Sequence, residues 1–193
     1  MMHPMGITAV TVYCSSSKAL SPHYYDAGAT LGRAIAREHW KLIYGGNAIG
    51  LMKTVADAAR AAGGRVIGIT PQLFVDEGCH DEQCEELVVT QTMRERKQML
   101  EQRGDAFIAL PGGIGTMEEV LEIIAGRALK VHTKPIVLVN VEGYWNPLLG
   151  MFQHAVEHGF VKPKHLSLFF VASNVGEAIE YLLDVDSSSA GPA

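Results

Sequence analysis

What most limits the folds open to this chain is an alternation. Short runs rich in Val and Ile are followed again and again by longer stretches with helical spacing. The short runs are Ile7–Tyr13, Lys41–Tyr44, Arg65–Ile69, Leu87–Thr90, Ala106–Leu110, Ile136–Val139 and Leu168–Val171. Most lack strict polar alternation, which is how parallel strands covered on both faces read. The spacing between them predicts helices over Pro22–Glu38, Ile49–Ala62, Thr92–Arg103, Thr116–Leu129, Pro147–His158 and Val175–Leu183. Pro22 after Ser21 and Pro147 after Asn146 suit helix starts, because a first-turn residue has no amide hydrogen bond to lose. Strands and helices in this order predict an α/β fold, an open parallel sheet with helices on both faces.

The chain has 193 residues, 48% of them hydrophobic, enough for a sizeable core without disulfides. No repeat and no internal linker interrupts it, so a single domain over 1–193 is expected. Its core spans about 7–183, and the Ser-rich end over 186–193 reads as a disordered tail. Phe74–Glu86 is acidic and reads as an irregular surface excursion. The net charge is −5 and no Lys/Arg block occurs, so neither nucleic acid nor an anionic membrane is expected as partner. Anionic ligands must then be held by local donors. Cys14, Cys79 and Cys84 are an odd set, which fits a reducing, cytoplasmic setting. Neither a leader nor a membrane span is expected.

In open parallel sheets, ligands sit beyond the carboxyl ends of the strands. Three such ends are unusual here: Cys14-Ser15-Ser16-Ser17, Gly45-Gly46-Asn47 and Pro111-Gly112-Gly113. In Pro111–Thr116, Gly112, Gly113 and Gly115 permit positive φ and close backbone approach, and Thr116 can cap the helix that follows. Free N–H groups and the positive helix end favour an anion; a ligand-free tight turn reads the same way. The pattern is neither a Walker A loop nor G-x-G-x-x-G, so neither NTP hydrolysis nor NAD binding follows. In the next helix, Met117, Val120, Leu121 and Ile124 form an apolar stripe, with Glu118, Glu119 and Glu122 on the other side. Carboxylates near a helix start complement its dipole, but beside an anion they repel unless they handle a proton or a developing cation.

At helical spacing, Arg96 and Lys97 fall on the stripe of Met93 and Leu100, while Arg94, Glu95 and Gln98 face outward. Inward cations either snorkel past the core rim, hold a phosphate, or pair with Glu118 or Glu119. Gly45–Met52 is a second Gly-rich strand-to-helix turn, in which Asn47 can take the left-handed geometry of a glycine. Two patterns read as decoys. His154-Ala155-Val156-Glu157-His158 matches H-x-x-E-H but stands at a helix end before Gly159, where histidine suits the dipole. Cys79–Cys84 lacks a second ligand pair at zinc-site spacing and reads as loop, so no metal is assigned.

With these residues in place, the chain resembles the Lonely Guy (LOG) family of cytokinin-activating phosphoribohydrolases, also labelled lysine decarboxylases. The family pattern P-G-G-x-G-T-x-x-E is matched by Pro111–Glu119, and the R-K pair by Arg96 and Lys97 after Met93. C-x-S is matched by Cys14 and Ser16, and Y-G-G-x-x-x-G-L-M by Tyr44–Met52. Lys134-Pro135-Ile136 and Gly143-Tyr144-Trp145 match the remaining segments, so the resemblance runs from about Ile7 to Leu183. It implies a Rossmann-like sheet and hydrolysis of the N-glycosidic bond of N6-substituted adenosine 5′-monophosphates, giving free base and ribose 5-phosphate. It implies Arg96 and Glu119 as catalytic residues. Substrate binding would fall to Lys97, Glu118, Met93, Ser16, Gly45, Gly46, Asn47, Gly112, Gly113, Ile114, Gly115 and Thr116. It implies a homodimer and no metal or redox cofactor. No lysine stands in a setting that would hold pyridoxal phosphate.

The chain departs from the family pattern in places. Arg94 stands where His is common, and Asn47 and Lys53 where glycines are common. Ala125-Gly126-Arg127-Ala128-Leu129-Lys130 replaces a T-W-x-Q-L-G stretch, removing an aromatic ring and a glutamine. Specificity is thereby open between plain AMP, another nucleotide and a differently shaped N6 group. A broader purine-nucleotide nucleosidase is the alternative enzyme, and a non-catalytic nucleotide-binding carrier module the alternative of another class.

Overall fold

A computed structural model describes residues 6–189. Every Val/Ile run becomes a strand: β1 (Ala9–Tyr13), β2 (Lys41–Tyr44), β3 (Val66–Pro71), β4 (Glu86–Thr90), β5 (Ala106–Ala109), β6 (Ile136–Val139) and β7 (Phe170–Ala172). The helices are α1 (Pro22–Arg37), α2 (Gly50–Ala61), α3 (Gln72–Asp76), α4 (Met93–Arg103), α5 (Ile114–Ala128), α6 (Asn146–Glu157) and α7 (Val175–Ser189). The seven strands form one parallel sheet in the order β4-β3-β2-β1-β5-β6-β7.

That order has a consequence for function. From β1 the chain builds outward through β2, β3 and β4, then returns to the other side of β1 and builds through β5, β6 and β7. The connections leave β1 and β5 in opposite directions, which opens a crevice at their carboxyl ends. The Ser15–Ser17 and Pro111–Gly113 loops both lie there, and the Ser15 N–H donates to the Pro111 carbonyl at 3.3 Å.

Alternate strand residues feed two cores, one on each face. Val10 and Val12 pack with Leu31 and Ile35 of α1, Val55 of α2 and Leu182 of α7. Ala9 and Tyr13 pack on the opposite face with Leu100 of α4, Val120 and Ile123 of α5, and Trp145. Thr11 shares this second face yet is fully buried; its hydroxyl donates to the Leu100 carbonyl at 2.8 Å, which removes the penalty for burying it.

The structure corrects the sequence reading in four places. The β4 strand is not covered on both faces: Val89 is 40% exposed, because β4 is the sheet edge. The excursion that follows β3 opens with the short helix α3, which the acidic composition hid. The last strand begins at Phe170 rather than Leu168, since a 3-10 turn over Pro163–Ser167 precedes it and Arg127 Nη1 donates to the Leu168 carbonyl at 2.9 Å. Helix α7 runs on through Ser189, so 186–189 are not a disordered tail. Asp186 accepts the Ile7 N–H at 2.8 Å, and the Ser187 and Ser188 hydroxyls bond back to the Asp184 carbonyl. Residues 190–193 lie outside the described residues. Among the described residues, no helix is long and apolar enough to cross a membrane.

Candidate active site

A cavity of about 400 Å³ opens where β1, β2 and β5 end. Its walls come from Ser15–Ser17 after β1, from Gly45 and Asn47 after β2, and from Gly113–Thr116 at the start of α5. Met52 of α2, Phe74 of α3 and Met93 of α4 add an apolar wall. The loops are tied to one another: the Met52 N–H donates to the Ser15 carbonyl (3.1 Å), and the Ser17 N–H to Ser15 Oγ (3.0 Å).

The α5 start is built differently from the sequence expectation. Gly113 is the N-cap and the helix begins at Ile114, so Thr116 lies inside the first turn and caps nothing. Its buried side chain lies against Gly112, where a Cβ would collide with it. None of Gly112, Gly113 and Gly115 has positive φ. At Gly113 and Gly115 neither φ nor protein packing demands glycine, for a Cβ there would stand in open space. Both line the cavity, so close approach of a bound group is the constraint that remains. No side chain caps the first-turn N–H groups, and the first helical bond runs from the Met117 N–H to the Gly113 carbonyl (3.0 Å). Uncapped donors at a helix start form a ready anion site. The Tyr144 hydroxyl holds the loop from behind by donating to the Gly112 carbonyl.

The inward face of α5 is Thr116, Glu119, Val120, Ile123 and Ile124. Met117 and Leu121 are 39% and 42% exposed, so the expected apolar stripe is turned by a residue. The partner of Glu119 accounts for the turn. Arg96 Nη1 donates to Glu119 Oε1 at 2.8 Å, and Arg96 Nε to the Ile69 carbonyl at 3.1 Å. Both side chains are buried, 5% and 7% exposed. A Cβ on Gly45 would collide with Arg96 Nη2, which is why glycine stands there. Arg96 reaches this position because a capping box, Thr92 with Glu95, sets the start of α4. The other cation does not enter: Lys97 pairs with Glu118 and Glu122 outside the cavity.

Burial raises the Glu119 carboxyl above the ordinary glutamate value, against the lowering charge and hydrogen bond of Arg96. Burial also pushes up the Tyr13 hydroxyl and the Cys14 thiol, and the Glu119 charge adds to both. Cys14 is therefore a neutral wall residue, not a thiolate nucleophile.

Of the residues the sequence singled out, the cavity gathers Ser16, Gly45, Asn47, Met93, Arg96, Gly113, Ile114, Gly115, Thr116 and Glu119. Lys97, Glu118, Gly46 and Gly112 are not among its lining. Gly46, at φ +67°, takes the left-handed geometry expected of Asn47, whose Oδ1 instead accepts the Ile49 N–H at 3.2 Å. Phe74, Met52, Ser15 and Ser17 were missed. Phe74 gave no signal because α3 was unread; the two serines flank Ser16 on a strand end already marked as unusual. His154, Glu157 and His158 are exposed at the end of α6 and do not line the cavity. Cys84, half-buried, lies with its Sγ 3.4 Å from the Tyr44 hydroxyl and does not line the cavity.

The family described as possible lysine decarboxylase matches residues 52–182. The cytokinin riboside 5′-monophosphate phosphoribohydrolase LOG5 of Arabidopsis thaliana is 42% identical over 173 residues, covering 90% of this chain and 76% of that protein. The chain belongs to the LOG family. A second relative, the cytokinin riboside 5′-monophosphate phosphoribohydrolase of Rhodococcoides fascians, is 41% identical over 173 residues, covering 89% of this chain and 87% of its own. The molybdenum cofactor carrier protein of Chlamydomonas reinhardtii shares the fold, with a TM-score of 0.72 at 21% identity over 94% of this chain and 98% of its own. The LOG pattern residues Arg96 and Glu119, 23 positions apart in sequence, are thus the buried pair at the floor of the crevice.

Replacing one member of that pair exposes the imbalance it hides. Arg96→Ala leaves a buried, unpaired carboxylate, and a loss of about 3–5 kcal/mol in stability at pH 7 is expected. Burial holds the folded Glu119 above the ordinary value of 4.5. The strain is therefore relieved by protonation, and the deficit against wild type shrinks as pH falls from 7 toward 5. Urea unfolding at both pH values checks this; a deficit of the same size at both would refute it.

Proposed function

We propose that this LOG protein hydrolyses the N-glycosidic bond of N6-substituted adenosine 5′-monophosphates, releasing the free base and ribose 5-phosphate. The observation that carries this reading is the buried Arg96–Glu119 pair beneath the uncapped start of α5. The first-turn N–H groups and the Ser15–Ser17 loop hold the 5′-phosphate. The apolar wall of Met52, Phe74 and Met93 receives the base and its N6 group. Departure of the base leaves positive charge on C1′ of the ribose, in an oxocarbenium-like transition state. The Glu119 carboxylate stabilises that charge or orients the attacking water, whose hydroxyl joins C1′ while the proton goes to the departing base. Arg96 keeps Glu119 ionised in a buried place and fixes its direction. The names of relatives at 41–42% identity support the reaction class.

The altered stretch Ala125–Lys130 does not line the cavity of a single chain, and the apolar wall favours an apolar N6 substituent over plain AMP. We read the described chain as one domain, located in the cytoplasm, where its three cysteines stay free. It acts as a homodimer. Ile114, 87% exposed, borders the cavity, and Met117 and Leu121 continue an apolar strip along the outer face of α5. An isologous partner would cover that strip and close the crevice. Light scattering is expected to give twice the chain mass of 20.9 kDa. Leu121→Asp is expected to give the single mass; a monomeric wild type would contradict the dimer.

Base release from isopentenyl-AMP and AMP tests the reaction. Wild type is expected to release base from both, faster from isopentenyl-AMP. Arg96→Ala and Glu119→Ala are each expected to lose about 100-fold or more in kcat/KM. The acid limb of the rate should lie above pH 4.5, because burial raises Glu119 and its carboxylate is the working form. A folded wild type that releases no base from either nucleotide would overturn the reading.

A further inference from the structure

The segment between α3 and β4 carries several acidic residues, and most of them face solvent. Glu77, Glu82 and Glu85 are exposed, whereas Asp81 is buried at 4%. Its carboxylate has three donors: the Tyr44 hydroxyl (2.7 Å), Arg60 Nη1 (2.8 Å) and the Gln83 N–H (3.0 Å). Burial alone would raise the Asp81 carboxyl, but these bonds hold it below the ordinary value, so it is a buried anion.

The backbone around Asp81 is joined to the turn after β2. The Asp81 N–H donates to the Gly46 carbonyl (2.8 Å), the Ala48 N–H donates to the Cys79 carbonyl (2.9 Å), and Asn47 and His80 form an antiparallel bridge. The Gly45–Gly46 turn in its turn packs on β3: a Cβ at Gly46 would lie 3.2 Å from the Ile69 nitrogen. The Ile69 carbonyl receives Arg96 Nε, and Gly45 abuts Arg96 Nη2. The capping box sets the start of α4, but beyond Glu119 the Arg96 guanidinium rests on the Ile69 carbonyl of β3 and against Gly45 of the turn that Asp81 fastens.

We propose that Asp81 is a positioning residue, strapping the 79–84 segment onto the Gly45–Gly46 turn and thereby holding Arg96 against Glu119. Its bearing on catalysis rests on the function proposed above; its bearing on the Arg96 seat does not. Without the carboxylate, Tyr44 and Arg60 lose a buried partner, the turn loosens, and Arg96 is free to move into the space that Gly45 leaves.

The test reads Glu119 directly. Its ionisation is set by its burial first, then by Arg96 and Lys97 from α4 and Glu118 from its own helix; Tyr13 of β1 and Cys14 just beyond it also face it and stay neutral. Of these, Arg96 is the one whose guanidinium abuts the turn that Asp81 fastens. A carbon-13 carboxyl titration of Glu119 by NMR is run on wild type, Asp81→Asn and Tyr44→Phe, with Glu85→Gln on the same segment as control. Asp81→Asn is expected to raise the Glu119 midpoint by about 0.5–1 pH unit, because a displaced guanidinium favours the carboxylate less. The acid limb of base release should move with it, and kcat should fall about tenfold from misplacement. Tyr44→Phe, which removes one hydroxyl from the cluster, should move both in the same direction by less, and Glu85→Gln should move neither. A merely structural role would lower the melting temperature and leave the midpoint where it was. An unmoved Glu119 midpoint in folded Asp81→Asn overturns the proposal; should that variant not fold, an unmoved midpoint in Tyr44→Phe overturns it. If wild type releases no base yet the midpoint moves, the function fails and the Asp81 strap stands.

Discussion

A single buried ion pair governs how the parts of this site are placed. Arg96 and Glu119 come from helices on the same side of the sheet, and each would be costly to bury alone. Together they fix the rotation of α5, which in turn directs Thr116 inward and leaves Met117 and Leu121 outside. They also impose glycine at position 45, since the guanidinium fills the space a side chain would need. A pair of this kind adds little net stability. What it supplies is a carboxyl group whose charge Arg96 favours where burial opposes it, beside donors suited to an anion.

The fold makes that arrangement possible by its strand order. The chain leaves β1 toward β2 and later returns to β5 on the other side, so two loops that end adjacent strands diverge and leave a crevice. At that crevice, α5 presents its first-turn N–H groups while α4, on the same side of the sheet, sends in Arg96. The walls come from segments that the sheet order sets side by side, from Gly113 through Ser15 to Asn47 and Phe74. Fold alone would equally serve a carrier, and the likeness to the molybdenum cofactor carrier protein carries no further than shape. The pair at its floor separates the two readings, because holding an anion needs the helix start but no buried carboxylate.

Much of this was legible in the sequence, for definite physical reasons. Strands inside the sheet leave unbroken Val and Ile runs, and the edge strand β4 keeps Leu87, Val88 and Val89, so all seven could be placed, and β–α alternation leaves little choice of topology. Inward cations at Arg96 and Lys97 marked α4 as unusual, although only Arg96 enters the cavity. Rotation about a helix axis was not legible: Glu119 looked outward until its partner was known, and Met117 looked buried. Phe74 and Asp81 were hidden for a different reason. Both stand in an acidic segment whose composition says surface, and the burial of Asp81 depends on Tyr44 and Arg60, which are distant in sequence. Propensity and periodicity describe neighbours along the chain and carry no record of such contacts.

If Arg96 and Glu119 act as one unit, removing the second after the first should change little. The measurement that tests this is kcat/KM for base release from isopentenyl-AMP by Arg96→Ala, Glu119→Ala and the double variant Arg96→Ala/Glu119→Ala. The double variant is expected to be no slower than the slower single variant, within about threefold, because neither group works without the other. Losses that multiply in the double variant would mean that the two residues act independently, and would contradict the central place given to the pair.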